Sequence, residues 1–409
     1  MQCDNIINTL APCLVQSGWN GDLANFASIF LGVIILATFP LLVTIVLIWF
    51  ERKFAARIQD RLGPNRVGPF GLLQPFADVI KLLGKEDITP AGADKLIYNI
   101  APVMMVMSVL LIWAVVPLSP IHVGMDLEIG ALYIISVASF GTLSVIFASW
   151  SSNNKYALLG AFRVVAQLIS YEVPLALSLL IPVMLAGSMS LVDITQAQAG
   201  MWFIFVAPLS AILFFISSQA ETGRAPFDLL EAESELVAGF NIEYSGMKFA
   251  LFFAGEFMHV FTNGVLMAVL FAGGYIGFGG LENSIPLLGI VFLFLKASVF
   301  YMLSLLIRNA IPRVRIDQLM NFNWKFLVPV SIVNVVMMAF LLKVVQALGI
   351  APTPELANDF VANIPQTLVL FAGNVVLGLL VMNTVSSRIR KERLQESANR
   401  AIVPMGAGD

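Results

Sequence analysis

The chain has 409 residues, 58% of them hydrophobic and 12% charged, with a net charge of −3. Soluble domains carry about 25% charged residues, so this composition excludes an ordinary soluble enzyme and places the chain in the membrane class. It contains two cysteines and two histidines, too few for an iron–sulfur cluster, which needs about four ligands; His122 and His259 lie on different elements, so no bis-histidine haem is expected either.

Residues 1–23 form an outer extension. They lack a basic run ahead of an apolar one and do not read as a cleaved signal. Cys3 and Cys13 allow a disulfide if this end meets an oxidising compartment, and a plain thiol pair otherwise. A membrane span needs about 20 apolar residues. Nine stretches qualify: 27–49, 100–118, 131–149, 164–186, 201–218, 249–276, 287–307, 326–345 and 364–385. Each is expected to be a helix, because lipid offers the backbone no hydrogen-bond partner. Pro102, Pro174, Pro182 and Pro208 predict kinks. The loops after spans 1, 3, 5 and 7 and the C-terminal tail hold 21 of the 23 Lys and Arg residues. The N-terminus therefore faces outside and the C-terminus the cytoplasm, as expected of a multi-pass membrane protein.

After span 1 comes a long cytoplasmic loop, 51–99. It opens on Glu51-Arg52-Lys53 and passes Arg61 into a turn-rich stretch, Gly63-Pro64-Asn65-Arg66-Val67-Gly68-Pro69. Phe76, Val79, Ile80 and Leu83 then fall at helical spacing, predicting an amphipathic helix at the membrane surface. A second cytoplasmic loop spans 150–163. The third, 219–248, carries six acids against two bases. The acids are Glu221, Asp228, Glu231, Glu233, Glu235 and Glu243. Asp228, Glu231 and Glu235 share one helical face, interleaved with Phe227, Leu230 and Leu236. Carboxylates so close repel one another and titrate as a coupled set, which suits proton transfer; a solvated acidic face is the plainer alternative. The fourth loop is 308–325.

Charge inside a span is costly and marks function unless it forms an interhelix pair. Glu172 and Glu256 sit about 10–12 Å below the cytoplasmic surface at about 1.5 Å per residue. His259 follows Glu256, and Lys296 lies near the middle of span 7. Lys343 lies near a span end and can snorkel. The acidic loop, the two glutamates and Lys296 read as a proton relay running into the membrane.

Several runs together resemble the H-subunit family of bacterial NADH-quinone oxidoreductases, whose mitochondrial counterpart is NADH dehydrogenase subunit 1. They are Glu51-Arg52-Lys53, 63–69 with 73–78, 85–90, 167–174, 221–244, 312–315, 317–320 and 324–325, covering roughly residues 25–345. The resemblance implies an all-α polytopic helix bundle, an eight-helix membrane core at 24–345, to which 346–409 adds an outer linker, a ninth span and a basic tail. It implies a subunit of complex I without a redox centre or metal of its own, at the junction of the membrane and peripheral arms. Quinone, as ubiquinone or menaquinone, is then the substrate. FMN and iron–sulfur clusters belong to partner subunits, and nucleic acid has no part. Carried over position by position, Glu51, Arg52, Arg61, Arg224, Phe227, Asp228, Arg308 and Arg313 would line or brace the quinone chamber. Glu172, Glu221, Glu231, Glu233, Glu235, Glu243 and Glu256 would form the acidic link to the pumping subunits. The tail beyond 345 departs from the family and reads as a clamp on a neighbouring subunit.

Two other readings compete. A related subunit in an energy-converting membrane hydrogenase, or in a complex with another electron donor, would share the fold. A free-standing ion transporter would show internal repeats, and none is apparent.

Overall fold

The structure, a computed structural model, describes residues 14–15, 20–228, 239–277, 285–352 and 359–402. Cys3 and Cys13 lie outside them, as do Glu231, Glu233 and Glu235. The first half contains α1 (Gly21–Ile58), the short α2 (Gln74–Leu83), α3 (Lys95–Trp113), α4 (Gly130–Ser151) and α5 (Lys155–Ala186). Two small helices follow, α6 (Leu191–Gln196) and α7 (Phe203–Val206), and then α8 (Pro208–Glu221). The remainder is α9 (Gly246–Phe271), α10 (Pro286–Ala310), α11 (Ile316–Phe322), α12 (Val328–Ala347) and α13 (Phe360–Ile402). A π-turn, Asn323–Leu327, joins α11 to α12. The chain is thus an all-α polytopic bundle. Among the described residues, eight helices are long and apolar enough to cross a membrane, with α11 and α12 counted as one.

The expected fifth span, 201–218, is the exception. It is divided into α7 and α8 at Ala207, whose φ of −134° and ψ of 63° are not helical. Pro208 lacks the N–H that would continue the ladder, and its fixed φ suits the first turn of a new helix. At about 1.5 Å per residue the two pieces still reach roughly 28 Å, close to the hydrocarbon thickness of about 30 Å.

Other prolines stay inside continuous helices, and the carbonyl each one frees needs a new donor. Pro174 frees the carbonyl of Ser170, and the Asn323 amide takes it at 2.6 Å. That bond seats the π-turn against α5.

The bundle is centred on α9, buried without interruption from Val260 to Phe271. Lipid supplies no hydrophobic drive between helices, so close approach and polar contacts hold them. A Cβ on Gly264 would lie 3.0 Å from the Ala297 carbonyl of α10, and one on Gly255 would lie 2.8 Å from Met105 of α3. The Trp113 indole donates to Thr262 Oγ1 at 2.9 Å. By contrast α1 and α13 expose large apolar side chains such as Ile29 and Phe371, as lipid-facing helices do. On α2, Ile80 is 70% and Leu83 62% exposed, so the expected apolar stripe faces away from the protein, as an interfacial helix requires.

Candidate functional site

The last turns of α1 present Glu51, Arg52 and Gln59, and the chain then folds back through 63–71. Gly71 makes that return possible. Its φ is 79°, and a Cβ there would lie 2.2 Å from the Pro64 carbonyl. The Trp49 indole donates to the Phe70 carbonyl at 3.1 Å and pins the loop to α1. This return, the middle of α9 and the end of α10 border a cavity of about 930 Å³, with Glu51, Arg52, Arg61, Asn65, Phe257 and Arg308 in its wall.

Glu51 organises that wall. Its carboxylate is 7% exposed and accepts from Arg224 Nη1 at 2.7 Å. The Tyr301 hydroxyl donates to the same oxygen at 3.2 Å, and the other oxygen pairs with Arg308. Buried charge survives only when paired. Here one carboxylate serves two guanidiniums, groups whose planar forks suit an electron-rich oxygen. The Arg224 guanidinium also lies over the Phe257 ring, 4.3 Å from its centre. Arg52 turns to Asp78 at 2.6 Å and braces α2. Arg61 donates to Gln59 at 2.7 Å.

Arg224, Phe227, Asp228 and Arg313 are not among the residues lining the cavity; Arg224 stands behind the wall, held on Glu51 and Phe257. Phe227 packs on Tyr171, with ring centres 5.7 Å apart. The Gln167 amide holds the carbonyls of Ala220 and Phe227 at 2.7 and 2.8 Å, fastening both ends of that turn to α5. The Val314 N–H donates to the Pro226 carbonyl at 3.0 Å, tying loop 308–325 to loop 219–248.

A second, smaller cavity of about 30 Å³ lies deeper. Glu221, Glu256, His259, Thr142 and Ser108 line it, and it has room for one or two water molecules. Glu221 closes α8 with its side chain 8% exposed, 4.0 Å from His259 Nε2. The Thr142 hydroxyl donates to Glu172 at 3.2 Å, and Glu172 is near enough to Glu221 for their charges to interact. Three expected acids thus converge from α5, α8 and α9. Glu243 stands apart, held by the Asn154 amide at 2.6 Å. Beside it Tyr98 and Tyr244 stack at 4.2 Å. Burial pushes the Tyr244 hydroxyl up to about 12, so it remains a neutral donor.

The structure does not bring Lys296 to this cluster. Its ammonium bonds the Ala272 carbonyl at 2.6 Å, beyond the far end of α9. Ala272 is about 20 Å along the helix from His259 at about 1.5 Å per residue.

Neighbouring residues line the two cavities. Phe257 lines the large one and its neighbour Glu256 the small one. Arg224, bonded to Glu51, is three residues from Glu221. Sequence reasoning missed Phe257, Tyr301 and Thr142. The hydroxyls of Tyr301 and Thr142 carry no charge to betray them inside a span. The adjacency of Phe257 to Glu256 was a signal available in the sequence.

The family model described as NADH dehydrogenase matches residues 31–339. The chain is 47% identical over 308 residues to the NADH-quinone oxidoreductase H subunit of Dehalococcoides mccartyi (strain CBDB1), covering 75% of this chain and 85% of the relative. It is 46% identical over 331 residues to the first of the numbered H subunits of Geobacter metallireducens, covering 78% and 96%. It is 48% identical over 292 residues to the H subunit of Brevibacillus brevis, covering 71% and 86%. Site residues from Glu51 to Arg313 all fall inside the family match. The chain belongs to the NADH dehydrogenase family, among the H subunits of NADH-quinone oxidoreductase, a membrane-embedded part of complex I.

Proposed function

We propose that this subunit forms the membrane-side wall of a quinone-reduction chamber and starts the path by which that reaction drives proton pumping. One observation supports the reading: consecutive residues of α9, Phe257 and Glu256, line the arginine-rich cavity and the acid-lined one respectively, and Arg224, bonded to the Glu51 of the first, is three residues from the Glu221 of the second. Reduction of quinone to quinol takes two electrons and two protons. The electrons come from a partner that carries iron–sulfur clusters, and FMN in another partner accepts them from NADH. The guanidinium of Arg308, in the cavity wall, stabilises negative charge growing on the quinone oxygens, and Arg224 acts behind it through their shared partner Glu51. A change of charge there alters the field at Glu51, Arg224 and then Glu221, and so the proton affinity of the acids beyond.

Glu172, Glu221 and Glu256, with Glu231, Glu233, Glu235 and Glu243 of the same acidic loop, then pass protons toward the pumping subunits. In this reading 24–345 is the working core, 1–23 an outer extension, and 346–409 a lateral addition contacting other membrane-arm subunits. The chamber opens on the end of the bundle that carries most of the basic loops, which supports a cytoplasmic placement in a bacterial inner membrane. Peripheral-arm subunits would close its open side.

The test is photolabelling of the intact complex with an azido-quinone. Label competed by quinone and confined in this subunit to peptides covering 51–66, 257 and 308–309 is the expected result. Competed label elsewhere in this subunit, with none on those peptides, would refute the chamber.

A further inference from the structure

The C-terminal end of α9 poses a problem that its own helix cannot solve. The N–H groups of Ala272 and Gly274 meet only the Ala268 carbonyl of its last turn, at 3.0 and 2.8 Å; the carbonyls that follow need donors from elsewhere, and lipid supplies none. The chain turns there through Gly273, φ 72°, and Gly274, φ 48°. This turn points three carbonyls at one place. Lys296 Nζ of α10 donates to Ala272 O at 2.6 Å, Gly274 O at 3.1 Å and Ile276 O at 2.6 Å. A carbonyl is an acceptor suited to an ammonium's N–H. The Trp202 ring covers the same nitrogen, 4.4 Å from its centre. A Cβ on Gly273 would lie 2.9 Å from that ring, so glycine is what lets the tryptophan close over the site.

A second side chain completes the end. Gln198 Nε2 donates to Val269 O at 2.8 Å, and its Oε1 accepts from the Gly273 N–H at 2.8 Å. Lys296 comes from α10, whereas Gln198 and Trp202 come from the segment leading to the broken span. The end of α9 is therefore fixed against two other parts of the bundle at once. Further along the same continuous helix lie Phe257 of the large cavity and Glu256 and His259 of the small one.

We propose that Lys296 is a positioning residue, a charged cap that sets the height and rotation of α9, rather than a carrier in the proton relay. These three carbonyls orient a proton but do not accept one, and His259 of the small cavity lies about 20 Å away along α9. Slippage of α9 by one residue would turn Glu256 and His259 by about 100°, out of the small cavity. The consequence for pumping rests on the relay proposed above; the cap itself does not.

The experiment compares Lys296→Arg and Lys296→Met in the purified complex by hydrogen exchange and by proton pumping in proteoliposomes. Arginine keeps several donors and a face for the Trp202 ring, yet it stays protonated and cannot relay. Methionine is expected to speed exchange in 266–277 by about tenfold or more and to lower pumping with it, while arginine holds both near wild type. Pumping that follows protection across the variants supports the cap. An arginine variant that fails to pump with exchange unchanged would overturn it in favour of proton transfer. Exchange unchanged in methionine would overturn the cap outright. Lost protection with normal pumping would overturn the positioning role. Should the methionine variant not assemble, Trp202→Leu and Gln198→Leu replace it; wild-type exchange at 266–277 in both would likewise overturn the cap.

Discussion

Glu51 is one carboxylate between two guanidiniums and a phenol, and its removal can be reasoned through atom by atom. Gln at that position keeps the shape but loses the charge, leaving Arg224 buried without its counter-ion. Breaking a buried pair costs about 3–5 kcal/mol. Arg224 is 8% exposed and bears that cost, whereas Arg308, 37% exposed, is screened by water. Glu51→Gln is therefore expected to destabilise the subunit by about 3 kcal/mol and to lower quinone reductase activity at least tenfold. Tyr301→Phe removes a single hydrogen bond, of the order of 1 kcal/mol, and should leave most activity. Assays of inhibitor-sensitive NADH-to-quinone turnover, with thermal denaturation of the purified complex, check both. Equal effects from the two variants would mean that charge pairing is not what Glu51 provides.

Helices are the scale at which the sequence was most legible. Long apolar runs bounded by charged loops gave eight spans, because a segment in lipid must satisfy its backbone internally and has few alternatives to a helix. The stripe of Phe76, Val79, Ile80 and Leu83 gave α2 for the same kind of reason. The division at Ala207 escaped because Pro208 inside an apolar run reads equally as a kink or as the start of a new helix. The Glu51 hub was legible only as a set of charges. Its partners lie 173 and 250 residues away in the chain, and no local spacing encodes such a meeting. Lys296 shows the converse: depth in a span marked it as special, but only the three carbonyls around it revealed how.

The same scale bears on α13, which packs on α12, α7 and α8. Gly373 lets it approach, since a Cβ there would fall 2.3 Å from Leu341 Cδ1. Asn374, buried in the interface, donates to the Leu370 carbonyl at 3.0 Å and to Met338 Sδ at 2.9 Å. None of these residues touches either cavity. Deleting 350–409 should reduce the amount of assembled complex several-fold while leaving turnover per assembled complex nearly unchanged. Gly373→Leu should act in the same direction, more mildly. Native gel analysis with activity normalised to complex content measures this, and a truncated subunit that assembles fully would remove the clamp.

Across the whole molecule, an exposed, arginine-rich cavity and a small acid-lined one are held a few residues apart by α9 and the turn after α8. A carboxylate so enclosed exchanges protons only through neighbours or a trapped water, so under the proposed relay removal of one link should impair transport and spare quinone binding. Glu172 is the sharpest probe. It sits on α5, accepts from Thr142 and interacts with Glu221, yet does not line the large cavity. Glu172→Gln keeps volume and hydrogen bonding while deleting the titratable proton. The expected outcome is normal assembly, retained quinone affinity, and proton pumping lost by at least tenfold. Turnover would fall too if coupling is tight. Proteoliposomes with a fluorescent ΔpH probe, driven by NADH and a short-chain quinone, separate these quantities. A Glu172→Gln complex pumping at the wild-type ratio of protons to electrons would show that the path bypasses this acid. The coupling would then have to run through the loop acids and Glu243 instead.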